Sequence, residues 1–213
     1  MKTNCTELVF ILDRSGSMAG LESDTIGGFN AMLSKQKEAQ GEAIITTVLF
    51  NDEYELLHDC IHVNGVAPLT TKDYEVGGTT ALLDAIGLTI QKIKKAQKAT
   101  MKEACADKVL FVITTDGMEN SSQEYNYKKI KALIEQQKEV GWEFIFLGAN
   151  IDAIGMASKM GIDQENAVEY HADEIGTQVN FQAVSETVLN YRKEGKLNRS
   201  WKKEIETDFK SRK

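Results

Sequence analysis

The run Leu8-Val9-Phe10-Ile11-Leu12 is apolar at every position. A strand with one face in water alternates polar and apolar residues. An unbroken short run therefore marks a strand covered on both faces, as at the centre of a parallel sheet. Val109–Thr114 is a second such strand, and Trp142–Leu147 and Ala167–Tyr170 are further strand candidates. Helical spacing fills the gaps. Ile26, Phe29, Leu33 and Lys37 share one stripe, with Lys37 at its solvated end. Leu82, Ala85, Ile86, Thr89 and Ile93 form another, followed by a polar stretch, Lys94–Lys108, read as helix end and loop. Ser121-Ser122-Gln123-Glu124 has the form of a capping box opening a helix with Ile130, Leu133, Ile134 and Gln137 on one face. A short helix around Ala153–Met160 ends at Gly161, and Phe181, Val184, Val188 and Tyr191 mark a last amphipathic helix.

Ala43–Phe50 and Tyr54–Val63 are strands separated only by Asn51-Asp52-Glu53, which reads as a tight hairpin. The expected fold is α/β: a doubly wound, mostly parallel six-stranded sheet, order 3-2-1-4-5-6, with the hairpin strand antiparallel at one edge and helices on both faces. At 213 residues, without an internal repeat or a linker, the chain fits one domain.

Charge narrows the function classes. The net charge of −7 argues against nucleic acid as the main partner, since phosphate binding rests on basic patches. Seven basic and three acidic residues in 196–213 give that tail +4 and leave −11 on the rest. Apolar stretches fall short of membrane-spanning length, and the first one ends in a charged loop rather than a signal-like cleavage site. Cys5, Cys60 and Cys105 are odd in number and widely spaced, as expected of reduced thiols in a cytoplasmic protein.

Binding sites in such sheets lie beyond the carboxyl ends of the strands. Polar residues gather there three times: Asp13-Arg14-Ser15-Gly16-Ser17 after the first strand, Gly77-Gly78-Thr79-Thr80, and Thr115, Asp116 and Asn120 after the strand ending at Thr114. Carboxylate and hydroxyl oxygens suit hard divalent cations such as Mg²⁺ or Mn²⁺ rather than zinc, which favours imidazole and thiolate. Taken alone, Asp13–Ser17 also suits an ordinary strand-to-helix turn. The glycine pairs match no phosphate-binding pattern; Gly77-Gly78 reads as a tight turn and Gly27-Gly28 as close helix-to-sheet packing. His58, His62 and His171 share no ligand spacing and read as surface or strand histidines.

Asp13-x-Ser15-x-Ser17, a threonine in Gly77-Gly78-Thr79-Thr80-Ala81-Leu82, and Asp116 in Thr114-Thr115-Asp116-Gly117 together resemble the von Willebrand factor type A domain. They match its metal-ion-dependent adhesion site in the family's chain order; the resemblance runs from about Thr6 to Tyr191, in a domain taken as 1–195 with 196–213 left as a basic tail. The resemblance implies that Ser15 and Ser17 coordinate Mg²⁺ or Mn²⁺ directly, that Asp13 holds the site through water and hydrogen bonds, and that Asp116 binds directly or through water. The family's threonine precedes its helix by an offset that points to Thr80, with Thr79 left to turn chemistry. So few carboxylates leave the ion much of its charge and an open position, which an acidic side chain of a partner protein takes. The resemblance thus implies a protein-interaction module without catalysis, of the stand-alone bacterial, cytoplasmic kind.

Two other readings compete. A haloacid-dehalogenase-like phosphatase or phosphotransferase also places an Asp motif after its first strand. It needs a second Asp two residues on, where this chain has Ser15, and a later acidic pair that Asp116 lacks. An architectural role for the tail is the other, since Trp201, Ile205 and Phe209 recur at four-residue spacing among basic residues; plain packing on the body is the simpler account.

Overall fold

The computed structural model describes residues 5–100 and 106–212; Cys105 and residues 101–104 of the Lys94–Lys108 stretch lie outside the described residues. Six strands form one sheet: β1 (Thr6–Asp13), β2 (Ala43–Phe50), β3 (Tyr54–His62), β4 (Lys108–Thr115), β5 (Trp142–Ala149) and β6 (Ala167–Tyr170). Their order is β3-β2-β1-β4-β5-β6, as the alternation and the hairpin lead one to expect. All neighbours are parallel except β2 with β3. The helices are α1 (Glu22–Glu38), α2 (Leu82–Ala99), α3 (Tyr127–Glu139), α4 (Ala153–Met160), α5 (Glu174–Glu194) and α6 (Lys203–Ser211).

Both faces of β1 are covered, which explains its composition. Leu8, Phe10 and Leu12 enter a core with residues of α1, α5 and α6; Val9 and Ile11 enter a second core with residues of α2, α3 and α4. Each such side chain contributes about 1.5–3 kcal/mol by leaving water. Aromatic contacts add shape to both cores: Phe10 meets Phe29 edge-on at 5.6 Å, and Phe111 stacks on Phe144 at 4.8 Å.

Several local expectations need correcting. Ser121-Ser122-Gln123-Glu124 does not open a helix. The backbone N–H groups of Ser121 and Ser122 donate to Glu119, and those of Gln123, Glu124 and Tyr125 donate to Asp84 at the start of α2. These carboxylates fold the segment over α2, and α3 starts later, with the Asn126 side chain accepting from Lys129 N–H at 3.0 Å. Gly28 packs helix against helix, not against the sheet: a Cβ there would fall 2.3 Å from Phe181 of α5, whereas Gly27 faces open space. At the end of α1 Lys37 is not buried, as its place at the solvated end of the stripe implied, and reaches the Val66 carbonyl, while Gln36 beside it is buried.

The basic tail packs on the body. Trp201 and Ile205 are buried, and Trp201 Nε1 donates to the Glu165 carbonyl at 3.0 Å. At the other end of α6, Phe209 lies over His171 and Arg212 pairs with Asp173 at 2.6 Å. The helix thereby lies along β6, whose outer edge no strand pairs among the described residues.

Candidate metal centre

Asp13 ends β1 and is 1% exposed. Its carboxylate accepts from Ser15 N–H at 2.7 Å and from the Thr115 hydroxyl at 2.5 Å, so it joins the ends of β1 and β4. The Tyr74 hydroxyl donates to the Asp13 carbonyl from beneath. Arg14, between the motif residues, turns away to pair with Glu55 on β3 at 2.5 Å. A 3-10 turn over Gly16–Met18 carries Ser17 back over the strand ends, leaving Ser15 Oγ and Ser17 Oγ 3.1 Å apart. Ser17 Oγ in turn donates to Asp116 at 2.5 Å.

The threonine loop is held on three sides. Gly16 N–H donates to the Gly78 carbonyl, Gly77 N–H to the Arg14 carbonyl, and Ala81 N–H to the Asn51 carbonyl. Gly78 has φ +76°, and a Cβ there would collide with Asp52, so the tight turn needs glycine. Thr79 is exposed, its N–H 3.3 Å from Asp52. Thr80 is buried and exchanges two backbone-directed bonds with Asn120: its N–H donates to Asn120 Oδ1 at 2.9 Å, and its carbonyl accepts from Asn120 N–H at 3.1 Å.

The three hydroxyls converge beside Gly117. A Cβ there would lie 3.0 Å from Ser17 Oγ, 3.0 Å from Thr80 Oγ1 and 3.6 Å from Ser15 Oγ. Glycine leaves open a small space walled by three neutral oxygens with Asp116 adjoining. The donor set is hard and oxygen-only, so it fits a small divalent cation. Among the described residues no group of three or more His, Cys, Asp or Glu side chains is placed to hold a metal ion. Burial pushes the Asp13 carboxyl up, with the nearby Asp116 adding to it, against the pull of the Thr115 and Ser15 hydrogen bonds. Burial likewise pushes Asp116 up, partly offset by Ser17. A cation beside these carboxylates favours their charged forms and counters that cost.

Asp52 and Glu53 are exposed loop charges, and Glu22 accepts from Gly20 N–H at the start of α1. His62 pairs with Glu42 and His171 contacts the Phe209 carbonyl, both away from the hydroxyls. Sequence reasoning passed over Tyr74, Glu119 and the role of Gly117. Only the last had a signal, a glycine directly after Asp116.

This fold recurs in solved structures. The chain has the von Willebrand factor type A fold. The von Willebrand factor domain of a type V pilus tip protein from Porphyromonas gingivalis superposes with a TM-score of 0.60 at 11% identity, over 91% of this chain and 98% of that one. Proximal thread matrix protein 1 from the mussel byssus gives 0.58 at 12%, over 88% and 46%. A form of it with a zinc-occupied adhesion motif gives 0.58 at 12%, over 86% and 46%. This chain spans about half the length of the mussel protein. No family model and no curated protein matches the sequence.

Proposed function

We propose that this chain is a non-catalytic protein-binding module whose site takes one Mg²⁺ or Mn²⁺ ion and, through it, an acidic side chain of a partner protein. The observation that carries the reading is the convergence of Ser15, Ser17 and Thr80 hydroxyls on the space beside Gly117. In this reading the three hydroxyls hold the ion, Asp116 binds it directly or through water, and Asp13 keeps the first loop in place. The ion supplies a positive charge with an open position; a shell of neutral oxygens and so few carboxylates leaves that charge largely unspent. A pilus tip protein and a byssus matrix protein among the structural neighbours support a binding rather than a catalytic use of the fold. So does the zinc-occupied motif of the byssus protein, which supports a divalent ion at this position. The phosphatase reading finds no support, because Ser15 occupies the place of the acid it needs.

A cytoplasmic setting belongs to the same proposal and is supported by Cys5 and Cys60, both free among the described residues. The test is capture of partners by the immobilised chain in Mg²⁺ and again in EDTA, beside the Asp116→Ala variant, with Mn²⁺ titrated calorimetrically into both. Capture should need the ion and Asp116. Capture that persists in EDTA, or Mn²⁺ binding unchanged in Asp116→Ala, sinks the proposal.

A further inference from the structure

At the opposite end of the sheet from the hydroxyls, β1 carries an ionisable side chain inside the protein. Glu7 is 3% exposed, with Oε1 3.6 Å from Cys60 Sγ and Oε2 3.4 Å from Gln97 Nε2. Cys60 lies on the edge strand β3, which pairs with β2 through a bulged register, and its φ of +50° is one that residues other than glycine seldom adopt. Its sulfur is 3.6 Å from the Thr46 hydroxyl. From α2, Lys92 pairs with Asp59 and brings its Nζ to 3.4 Å from the Cys60 sulfur. A thiol, an amine, a carboxyl and a hydroxyl thus share one half-buried cluster with no part in the candidate metal centre.

We propose that Cys60 and Lys92 form a reversible S–O–N cross-link under peroxide, stapling edge strand β3 to α2. The first hydrogen peroxide transfers an oxygen to the Cys60 sulfur, giving the sulfenic acid and one water. The second takes one hydrogen from the sulfenic O–H and one from the Lys92 amine as the N–O bond forms, and leaves as two waters. Sulfur and nitrogen each lose two electrons, and two peroxides accept the four. Dithiol reductant returns the thiol, the amine and one water. The geometry meets the main demand, since the two atoms to be bridged already touch. Burial pushes the Lys92 amine down, towards the neutral form that bonds to the sulfenic oxygen. It pushes the Cys60 thiol up, which slows the first oxidation, because the thiolate is the form that attacks peroxide. Cys60 is half-buried rather than sealed, so a small oxidant reaches it.

The experiment treats the full chain with dilute hydrogen peroxide in EDTA, which removes the metal question from the outcome. Intact mass should rise by about 14 Da, one oxygen less two hydrogens. Peptide mapping should show Cys60 joined to Lys92, with tryptic cleavage after Lys92 lost, and dithiothreitol should reverse both. Lys92→Arg, which keeps a cation for Asp59, and Cys60→Ser should each abolish the product. Circular dichroism and maleimide labelling of Cys60 establish that Lys92→Arg is folded with its thiol equally accessible. Sulfur acids alone, with gains of about 16 or 32 Da, a disulfide, no gain at all, or a 14-Da gain of about the same yield in Lys92→Arg, each overturn the proposal.

Discussion

Single residues carry unequal amounts of information here. Gly117 is decisive because of what it lacks: a methyl at that position would stand 3.0 Å from two of the three hydroxyls, where the ion is proposed to sit. Gly117→Ala should therefore lose Mn²⁺ binding in calorimetry while its melting temperature in EDTA changes little. Full retention of binding would show that the ion lies elsewhere. Glu7 offers a separate test. Burial pushes its carboxyl up, against hydrogen bonds from Gln97 and Cys60. A carboxyl held above its unfolded value of about 4.3 keeps its proton more tightly in the folded state, so its contribution is full below that value and is lost as pH rises through the raised one. Glu7→Gln should match the wild type in urea stability near pH 4 and exceed it increasingly towards pH 7, about where carboxyl titration is complete. An unchanged pH slope would mean that Glu7 is not the group responsible. The sequence flagged neither residue's role, because one acts through an absent side chain and the other through burial created by α2.

At the scale of elements, periodicity carried most of the reading, and the failures share a cause. The stripes of α2, α3 and α5 were legible because apolar residues at helical spacing must face a core. The capping-box segment misled because Glu119, just before it, and Asp84, distant in sequence on α2, supply acceptors that compete for the same N–H groups. The Gly27-Gly28 pair misled similarly: it marks where α1 meets α5, a helix about 150 residues later in the chain. Gly28→Ala gains roughly 1 kcal/mol of helix propensity but drives a methyl into the base of the Phe181 ring. A net loss of about 1–3 kcal/mol in denaturant unfolding is expected, and Gly27→Ala, with open space around it, should stabilise slightly. Equal effects at the two positions would remove the close α1–α5 contact from the account. The +4 tail looked like a candidate interaction arm by composition, yet its apolar residues are consumed by packing along β6.

The whole molecule responds to an ion by linkage. A ligand that binds only the folded state raises stability by about 2.7 kcal/mol at a hundredfold excess over its Kd. Mg²⁺ and Mn²⁺ should therefore raise the melting temperature of the wild type, and Ca²⁺ should do so less, since a compact set of small hydroxyls suits the smaller ions. Asp13→Ala should remove the shift, because Asp13 holds the Ser15 N–H and the Thr115 hydroxyl in register. A shift of full size in that variant would refute the assignment.

The sequence by itself determined the sheet and its order. Short apolar runs without alternation read as central strands, a three-residue gap between two strands reads as a hairpin, and right-handed crossovers leave few ways to connect the rest. It also brought the oxygen-rich loops to one end of that sheet, since all follow strands or precede helices. Only the tertiary structure decided which hydroxyls face one another. Thr80 stands with the serines, and Thr79 outside them, because Asn120 and Asn51 grip the loop from elements far along the chain. Spacing along a chain reports periodicity and order, whereas a site is a matter of a few ångströms between residues up to 102 positions apart.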